Sequence, residues 1–138
     1  MPFAMIEIID ASVAIKWFIK EKGHETSLAV LERILESPEY FAVPELFYFE
    51  VSHVLNRLIP SLNRGQKELL HHLLQWGVVR FSMTKEWMEE IRRFQQLGLS
   101  GYDSAYAALA KILKGTWLSF DKKAHAKIAH LKLSRCLS

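Results

Sequence analysis

The 138-residue sequence has almost no cysteine, no long hydrophobic run and no secretory signal. Cys136 is the only cysteine, so neither an intrachain disulfide nor a thiolate zinc site can form. No apolar run approaches the roughly 20 residues that a membrane-spanning helix needs. The N-terminus lacks the basic start and apolar stretch of an export signal. We therefore expect a soluble, cytoplasmic protein with no membrane partner.

The glycine-rich and nucleophile motifs of several enzyme classes are also missing. The sequence contains no Walker A loop, no Rossmann glycine pattern and no serine in a nucleophile-elbow motif. These absences argue against nucleotide hydrolysis and ester hydrolysis. The length and the 50% apolar content fit one hydrophobic core, and no repeats or linkers interrupt the chain, so we predict a single domain over residues 1–138.

Positive charge is concentrated at the C-terminal end. The net charge is only +3, but residues 111–138 hold seven Lys and Arg against one acid, while residues 1–110 hold eleven against fourteen. Such a basic segment is able to follow a phosphate backbone. The alternative interpretation is a lysine-rich helical face that simply contacts water.

Short apolar segments alternate with segments of helical spacing along the whole chain. The pattern predicts strands over 5–9, 40–43, 78–81, 116–119 and 131–137, and helices over 11–19, 25–36, 45–58, 64–76, 84–97, 102–113 and 121–130. Pro44 suits the first turn of the third helix. The alternation predicts an α/β fold with three α/β/α layers and a short, mostly parallel central sheet.

Four acidic residues occupy positions that such a fold brings to one edge. Asp10 and Asp121 follow predicted strands, and ligands of parallel sheets bind beyond the carboxyl ends of strands. Asp103 begins a helix rich in alanine, and Glu50 lies in an apolar stretch where an unpaired charge is costly. Each has a simpler explanation, because the three aspartates could cap helices and Glu50 could face solvent.

A family resemblance joins these positions. Residues 9–13 (IDASV) with 16–18 (KWF), 44–46 (PEL) with 50–51 (EV), 102–110 (YDSAYAALA) and 118–121 (LSFD) are similar to the successive motifs of PIN domains. The match spans nearly the whole chain and is closest to VapC-type toxins of toxin–antitoxin pairs. Two departures are Ser119, where the family commonly has Thr, and His53, where it often has Asn.

The resemblance implies a metal-dependent endoribonuclease. By it, Asp10, Glu50, Asp103 and Asp121 are the catalytic and metal-site residues, and Ser12 and Ser119 support them. Clustered carboxylates take up protons or bind a cation, and Mg²⁺ or Mn²⁺ suits oxygen ligands. Such an ion activates a water and neutralises the leaving oxygen, and the family products carry a 5′-phosphate and a 3′-hydroxyl. His53 adds a further candidate ligand.

Lysines near these acids are candidates for holding RNA. Lys122, Lys123 and Lys127 follow Asp121, and Lys16 follows Asp10, so we expect them to contact flanking phosphates. Trp17 has two interpretations, as a base-stacking residue or as part of the core.

Other functions remain open at this point. Three Glu-x-x-His pairs have a spacing seen in di-iron helical bundles, but the predicted strands oppose that fold. A non-catalytic module that binds RNA or protein on the same fold is the main alternative. The helix over 45–58 is more apolar than one buried face requires, which indicates either deep burial or contact with another chain. By resemblance the partners are a second copy, giving a homodimer, and a cognate VapB-like antitoxin.

Overall fold

The computed structural model describes residues 5–137, and the ends of the predicted domain, residues 1–4 and 138, lie outside this range. Five strands are present, namely β1 (Glu7–Ile9), β2 (Phe41–Pro44), β3 (Val79–Phe81), β4 (Thr116–Ser119) and β5 (Ser134–Cys136). The helices are α1 (Ala11–Phe18), α2 (His24–Glu36), α3 (Leu46–Leu58), α4 (Arg64–His72), α5 (Lys85–Gln96), α6 (Gly101–Leu113) and α7 (Lys122–Ile128). Among these described residues, none of the helices has the length and apolar character to cross a membrane.

The strands form one parallel sheet in the order β3-β2-β1-β4-β5. Strand β1 pairs with both β2 and β4, with Ile8 opposite Ala42 on one side and Trp117 on the other. Every pairing between neighbouring strands is parallel. The prediction of an α/β fold around a short parallel sheet is therefore confirmed.

Helices cover both faces of the sheet, because successive strand residues point to opposite sides. Ile9 packs in a core with the buried residues of α1, α2 and α3. Its neighbour Ile8 packs in a second core with α5, α6 and α7. Both isoleucines are fully buried. The two cores fix three layers and hold the carboxyl ends of β1 and β4 at a common edge.

The start of β4 fits closely against β1. Thr116 N donates to Ile6 O over 2.9 Å, one residue after Gly115. A Cβ atom at Gly115 would lie 2.2 Å from that same oxygen, so a side chain cannot be accommodated there without moving the strands. The resulting register places Leu118 opposite Ile9. The segments that follow β1 and β4 therefore emerge side by side.

Several predicted boundaries were wrong by one to four residues. Pro44 ends β2 opposite Phe81 and does not enter α3, whose first residue is Leu46. The predicted helix over 64–76 ends at His72 and continues as a 3-10 turn, Leu73–Gln75. Helix ends commonly tighten in this way, and propensity alone does not locate the change.

Candidate active site

An open cleft of about 400 Å³ lies where β1 and β4 end, and all four predicted acids line it. We call it the carboxylate cleft, and its lining residues are Asp10, Ala11, Ser12, Ile15, Lys16, Glu21, Glu50, Val54, Asp103, Phe120 and Asp121. The acids come from four separate segments of the chain: the two strand ends, α3 and α6. Parallel topology therefore brings together the residues that the sequence pattern singled out.

Asp10 is held by two N–H donors at the end of β1. Its Oδ1 accepts the backbone N–H of Ser12 over 3.0 Å, which makes Asp10 the N-cap of α1. Its Oδ2 accepts the indole N–H of Trp117 over 3.0 Å. The capping role is thus present as well, but a carboxylate oxygen retains a further lone pair for a cation. Sequence periodicity places Trp117 in a strand and gives no sign of its indole contact.

Burial makes ionisation of Asp10 unfavourable. The side chain is almost inaccessible, and desolvation raises its pKa to about 7. The Ser12 backbone and the Ser119 side chain oppose this shift through hydrogen bonds, whereas the charges of Glu50 and Asp103 add to it. The Trp117 N–H also favours the charged form, since it donates to the carboxylate. Asp10 is therefore a carboxylate that gains from a nearby cation.

Glu50 reaches the cleft from α3 and receives a hydrogen bond from a buried tyrosine. The hydroxyl of Tyr106 donates to Glu50 Oε1 over 2.9 Å. Burial raises the pKa of Glu50, the Tyr106 bond lowers it, and the charge of Asp103 raises it further. The Tyr106 ring stacks on Trp117 with centroids 6.1 Å apart and an interplanar angle of 6°. One stacked aromatic pair thus orients two acids.

Asp103 and Asp121 face each other from α6 and α7. Asp121 caps α7 by accepting Ala124 N over 3.0 Å. Asp103 does not cap its helix, because Ser100 is the N-cap and accepts the Asp103 N–H over 3.2 Å. Burial is the largest cause that raises the pKa of Asp103, and the charge of Asp121 is the next. The charge of Asp121 therefore disfavours ionisation of Asp103.

The two predicted supporting serines tie the strand ends together. Ser12 Oγ accepts the backbone N–H of Phe120 over 3.2 Å. Ser119 Oγ accepts the backbone N–H of Asp121 over 3.0 Å, and the two hydroxyls lie 3.5 Å apart. Both serine hydroxyls therefore hold the backbone of residues 120 and 121, the segment that carries Asp121. The hydroxyl, which Ser119 retains relative to the Thr common in the family, is the group that makes the contact.

The candidate RNA-binding lysines have different surroundings in the structure. Lys16 lines the cleft, pairs with Glu21 over 3.0 Å and lies 4.7 Å above the Phe120 ring. Lys127 donates to Gly98 O over 2.8 Å. Lys122 and Lys123 are both exposed on α7, and Lys122 lines a pocket that adjoins the cleft.

Two further sequence candidates lie apart from the acids. His53 is exposed and is not part of the cleft lining. Trp17 is buried and donates its indole N–H to Ser27 O over 2.7 Å, which fits its interpretation as a core residue. The apolar stretch of α3 is split, because Phe47 is fully buried whereas Phe49 is 77% exposed.

The donor set fits a hard divalent cation that keeps much of its water. Within residues 5–137, none of the four acids forms an ion pair with a basic side chain. Over the same range, no three His, Cys, Asp or Glu side chains already form a metal-binding group. Mg²⁺ needs only one or two protein carboxylates and completes its shell with water and phosphate oxygens. Asp10 and Asp103, with Glu50 and Asp121 around them, are the residues present for that role.

Comparison with known proteins gives a family and a fold. A family model described as PIN domain matches residues 8–131. No curated protein matches the sequence. Among solved structures, PAE2754 from Pyrobaculum aerophilum is 19% identical, with a TM-score of 0.65, 90% of this chain covered and 80% of that one. A toxin-antitoxin complex from Klebsiella pneumoniae is 13% identical, with a TM-score of 0.69 and coverage of 96% and 98%.

A third similar structure is VapC20 from Mycobacterium tuberculosis, described as a toxin that cleaves the sarcin-ricin loop. It is 16% identical, with a TM-score of 0.65, and 87% of this chain and 93% of that one are covered. At such low identity these structures support the fold alone. The match of the family model extends over all four acids that line the carboxylate cleft.

Proposed function

The chain belongs to the PIN domain family, and we propose that it is a metal-dependent endoribonuclease of the VapC toxin type. The observation that carries the proposal is the convergence of Asp10, Glu50, Asp103 and Asp121 on one cleft without a basic partner among the described residues. Carboxylates without an ion-pair partner attract a hard divalent cation, and such a cation in turn attracts an anionic phosphodiester.

In this proposal each acid has a distinct role. Asp10 and Asp103 bind Mg²⁺ or Mn²⁺ directly, while Glu50 and Asp121 hold a second ion, hold water or position the nucleophile. When bound, the cation activates the attacking water and neutralises charge on the departing oxygen. Trp117 and Tyr106 keep the carboxylates of Asp10 and Glu50 in place through their N–H and O–H groups. The expected products carry a 5′-phosphate and a 3′-hydroxyl.

Cleavage of RNA by the purified protein tests the proposal. A structured and an unstructured RNA are incubated with Mg²⁺, with Mn²⁺ or with a chelator, and the product ends are mapped. We expect cuts inside the chain that a chelator abolishes, that Mn²⁺ restores, and that Asp103→Asn removes. Matched DNA strands report whether the ribose is required.

Two results would contradict the proposal. Cleavage that persists in chelator but disappears in Asp103→Asn would remove the metal from the mechanism. Binding of RNA without cleavage under every metal would favour the alternative of a non-catalytic binding module on the same fold. Both results are readable from the same gel assay combined with a filter-binding measurement.

We also propose that a small antitoxin binds this chain. The support is the similarity of its fold to a solved toxin-antitoxin complex and the open form of the carboxylate cleft, which an antitoxin tail would cover. Co-expression with any small open reading frame that adjoins the gene is the direct test. A complex that purifies together and suppresses RNA cleavage supports the pairing, and independent migration of the two chains contradicts it.

The second partner that we propose is another copy of the same chain, which would form a homodimer. On α3, Phe49 is 77% exposed and Leu58 is 50% exposed, so apolar area remains available for a second copy. Sedimentation of the native protein and of Phe49→Ser tests this. We expect a dimer that the substitution weakens, and a native monomer at micromolar concentration contradicts the expectation.

A further inference from the structure

A second pocket shares a wall with the carboxylate cleft. We call it the flanking pocket, and its lining residues are Lys16, Lys22, Gly23, Thr26, Phe120, Lys122 and Leu137. Its volume is about 410 Å³. Lys16 and Phe120 line both cavities, so the two cavities are adjacent. The flanking pocket therefore lies directly beside the cleft.

Two lysine ammonium groups at the border of the flanking pocket are available to a ligand. Lys22 and Lys122 are exposed, and neither forms an ion pair within residues 5–137. The third lysine, Lys16, already pairs with Glu21 and also donates to Lys22 O over 2.9 Å. Lys16 thus builds the shared wall, whereas the other two lysines are able to bind an anionic group.

Part of the flanking pocket wall is apolar and packs against a glycine turn. Phe120 and Leu137 are half-buried and supply carbon surface, and Thr26 also lines the pocket. Gly23 has φ +89°, and a Cβ atom on it would lie 2.8 Å from Phe120 Cε1. The turn between α1 and α2 therefore lies directly against the Phe120 ring.

We propose that the flanking pocket binds a nucleotide next to the scissile phosphate of the RNA, with its base or ribose against Phe120 and Leu137 and its phosphate between Lys22 and Lys122. The inference rests on the nuclease function proposed above, because it places one continuous strand across both cavities. Base stacking on an aromatic ring tolerates every base, and lysines hold phosphates without reading sequence.

An RNA strand fits these features better than an acidic peptide does. A peptide of acidic residues would match the lysines but would leave the apolar wall of Phe120 and Leu137 without a partner. A nucleotide presents both an anionic phosphate and a flat apolar face. The volume of the flanking pocket falls within the range of roughly 300–1,000 Å³ for small-ligand sites.

Charge reversal with a matched control tests the inference. The variant Lys22→Glu/Lys122→Glu changes the flanking pocket. The control Lys20→Glu/Lys67→Glu makes the same change of net charge on exposed residues that line neither cavity. Fluorescence anisotropy of a labelled single-stranded RNA and steady-state cleavage are measured for both. Thermal melting verifies that both remain folded.

We expect the pocket variant to weaken RNA binding and raise KM by about tenfold or more relative to the control, with kcat within about threefold. Its salt dependence should also become shallower, by a slope of roughly 0.7 for each phosphate that the variant no longer binds. An abasic site placed next to the cut, on one side of it, should weaken binding by the native protein. The same abasic site should have less effect on the pocket variant.

The failures of the two proposals are distinguishable. If the native protein neither binds nor cuts RNA, both the nuclease function and this inference fall. If it cuts RNA and the pocket variant behaves like its control, only the inference falls. If the pocket variant binds a polyglutamate peptide more weakly than the native protein but binds RNA equally well, the inference is also overturned. The flanking pocket would then serve an acidic protein segment.

Discussion

Strand β1 carries an acid near each end, and the two acids have opposite surroundings. Glu7, at the amino end, contacts two arginines: Arg33 donates to both of its oxygens, and Arg135 lies 3.4 Å away. Asp10, just beyond the carboxyl end, receives two neutral N–H donors and faces three further acids across the cleft. The fold therefore neutralises one end of the strand itself, whereas no ion pair within residues 5–137 neutralises the acid at the other end.

A buried acid elsewhere shows that the chain compensates charge where charge is only structural. Glu90 is 7% exposed and contacts Arg93 and Lys111, the latter over 3.1 Å. Breaking such a pair leaves a charge without its partner, which is costly. Acids in this fold are therefore not left unpaired as a rule. The unpaired acids of the carboxylate cleft lower the stability of the folded protein, as strained or uncompensated groups at functional sites often do.

The largest effect is expected from neutralising an unpaired acid. Asp103→Asn should reduce RNA cleavage by more than about 10²-fold, because it removes a proposed metal ligand. The same change relieves repulsion with Asp121, so the metal-free protein should become more stable at neutral pH. Cleavage assays and urea unfolding measure the two effects.

The matched control for that substitution is a paired acid. Glu90→Gln separates Arg93 and Lys111 from their partner, so it should lose stability and keep the metal dependence of cleavage. Equal stability changes in Asp103→Asn and Glu90→Gln would erase the distinction between paired and unpaired acids.

A smaller effect is expected from Trp117→Phe, which removes the indole donor from Asp10. Half-saturation by Mn²⁺ should rise about 10- to 100-fold, as for other groups that orient a metal ligand. Calorimetric titration of Mn²⁺ into the protein measures this without RNA. Trp17→Phe is the control, since its buried indole N–H donates to a backbone carbonyl, and it should change stability but not Mn²⁺ affinity.

The stability of the metal-free protein should fall as pH rises, and a bound metal ion should oppose this fall. Asp10, Glu50 and Asp103 have raised pKa values in the folded state, so the unfolded chain releases their protons at lower pH. The free energy of unfolding of the metal-free protein should therefore fall as pH rises from about 4 to about 7. Mn²⁺ at 100 times the Kd that it has at pH 8 should restore about 2.7 kcal/mol at pH 8. The same Mn²⁺ concentration should restore much less at pH 5, because protonated carboxyl groups bind the ion more weakly. Melting curves with no upward shift at pH 8 would argue against a cation site.

The smallest effect is expected at the compensated end of β1. Glu7→Gln breaks contacts with two exposed arginines and should cost less than about 1 kcal/mol. Mn²⁺ affinity and RNA cleavage should match the native protein. A large drop in cleavage by this variant would mean that the two ends of the strand are coupled and do not have separate roles.

Much of the cleft was predictable because its main acids follow strands. Asp10 and Asp121 stand after apolar segments, and parallel topology then dictates that they share an edge. Asp103 and Glu50 depended more on the family resemblance, since a helix position alone allows capping or solvent exposure. The simpler alternative, helix capping, applies to Asp10 and Asp121 but not to Asp103, where Ser100 is the N-cap.

The parts that were missed depend on side-chain direction and packing. Strand alternation predicts that Trp117 is buried but does not say which polar atom its indole N–H meets. The Tyr106 hydroxyl presents the same difficulty on α6, where alanines dominate the helix pattern. The flanking pocket joins residues from α1, the following turn, α7 and the C-terminal end, so no local signal identifies it.

Because each oxygen of the Asp10 carboxylate accepts an N–H, the corner between β1 and α1 needs two acceptor oxygens there. Asparagine has the same shape but only one such oxygen, so its amide N–H would point at the N–H of Trp117 or of Ser12. Removing the charge at this position therefore carries a penalty in folding that is separate from chemistry. Asp10 serves the architecture even in a molecule that never meets a substrate.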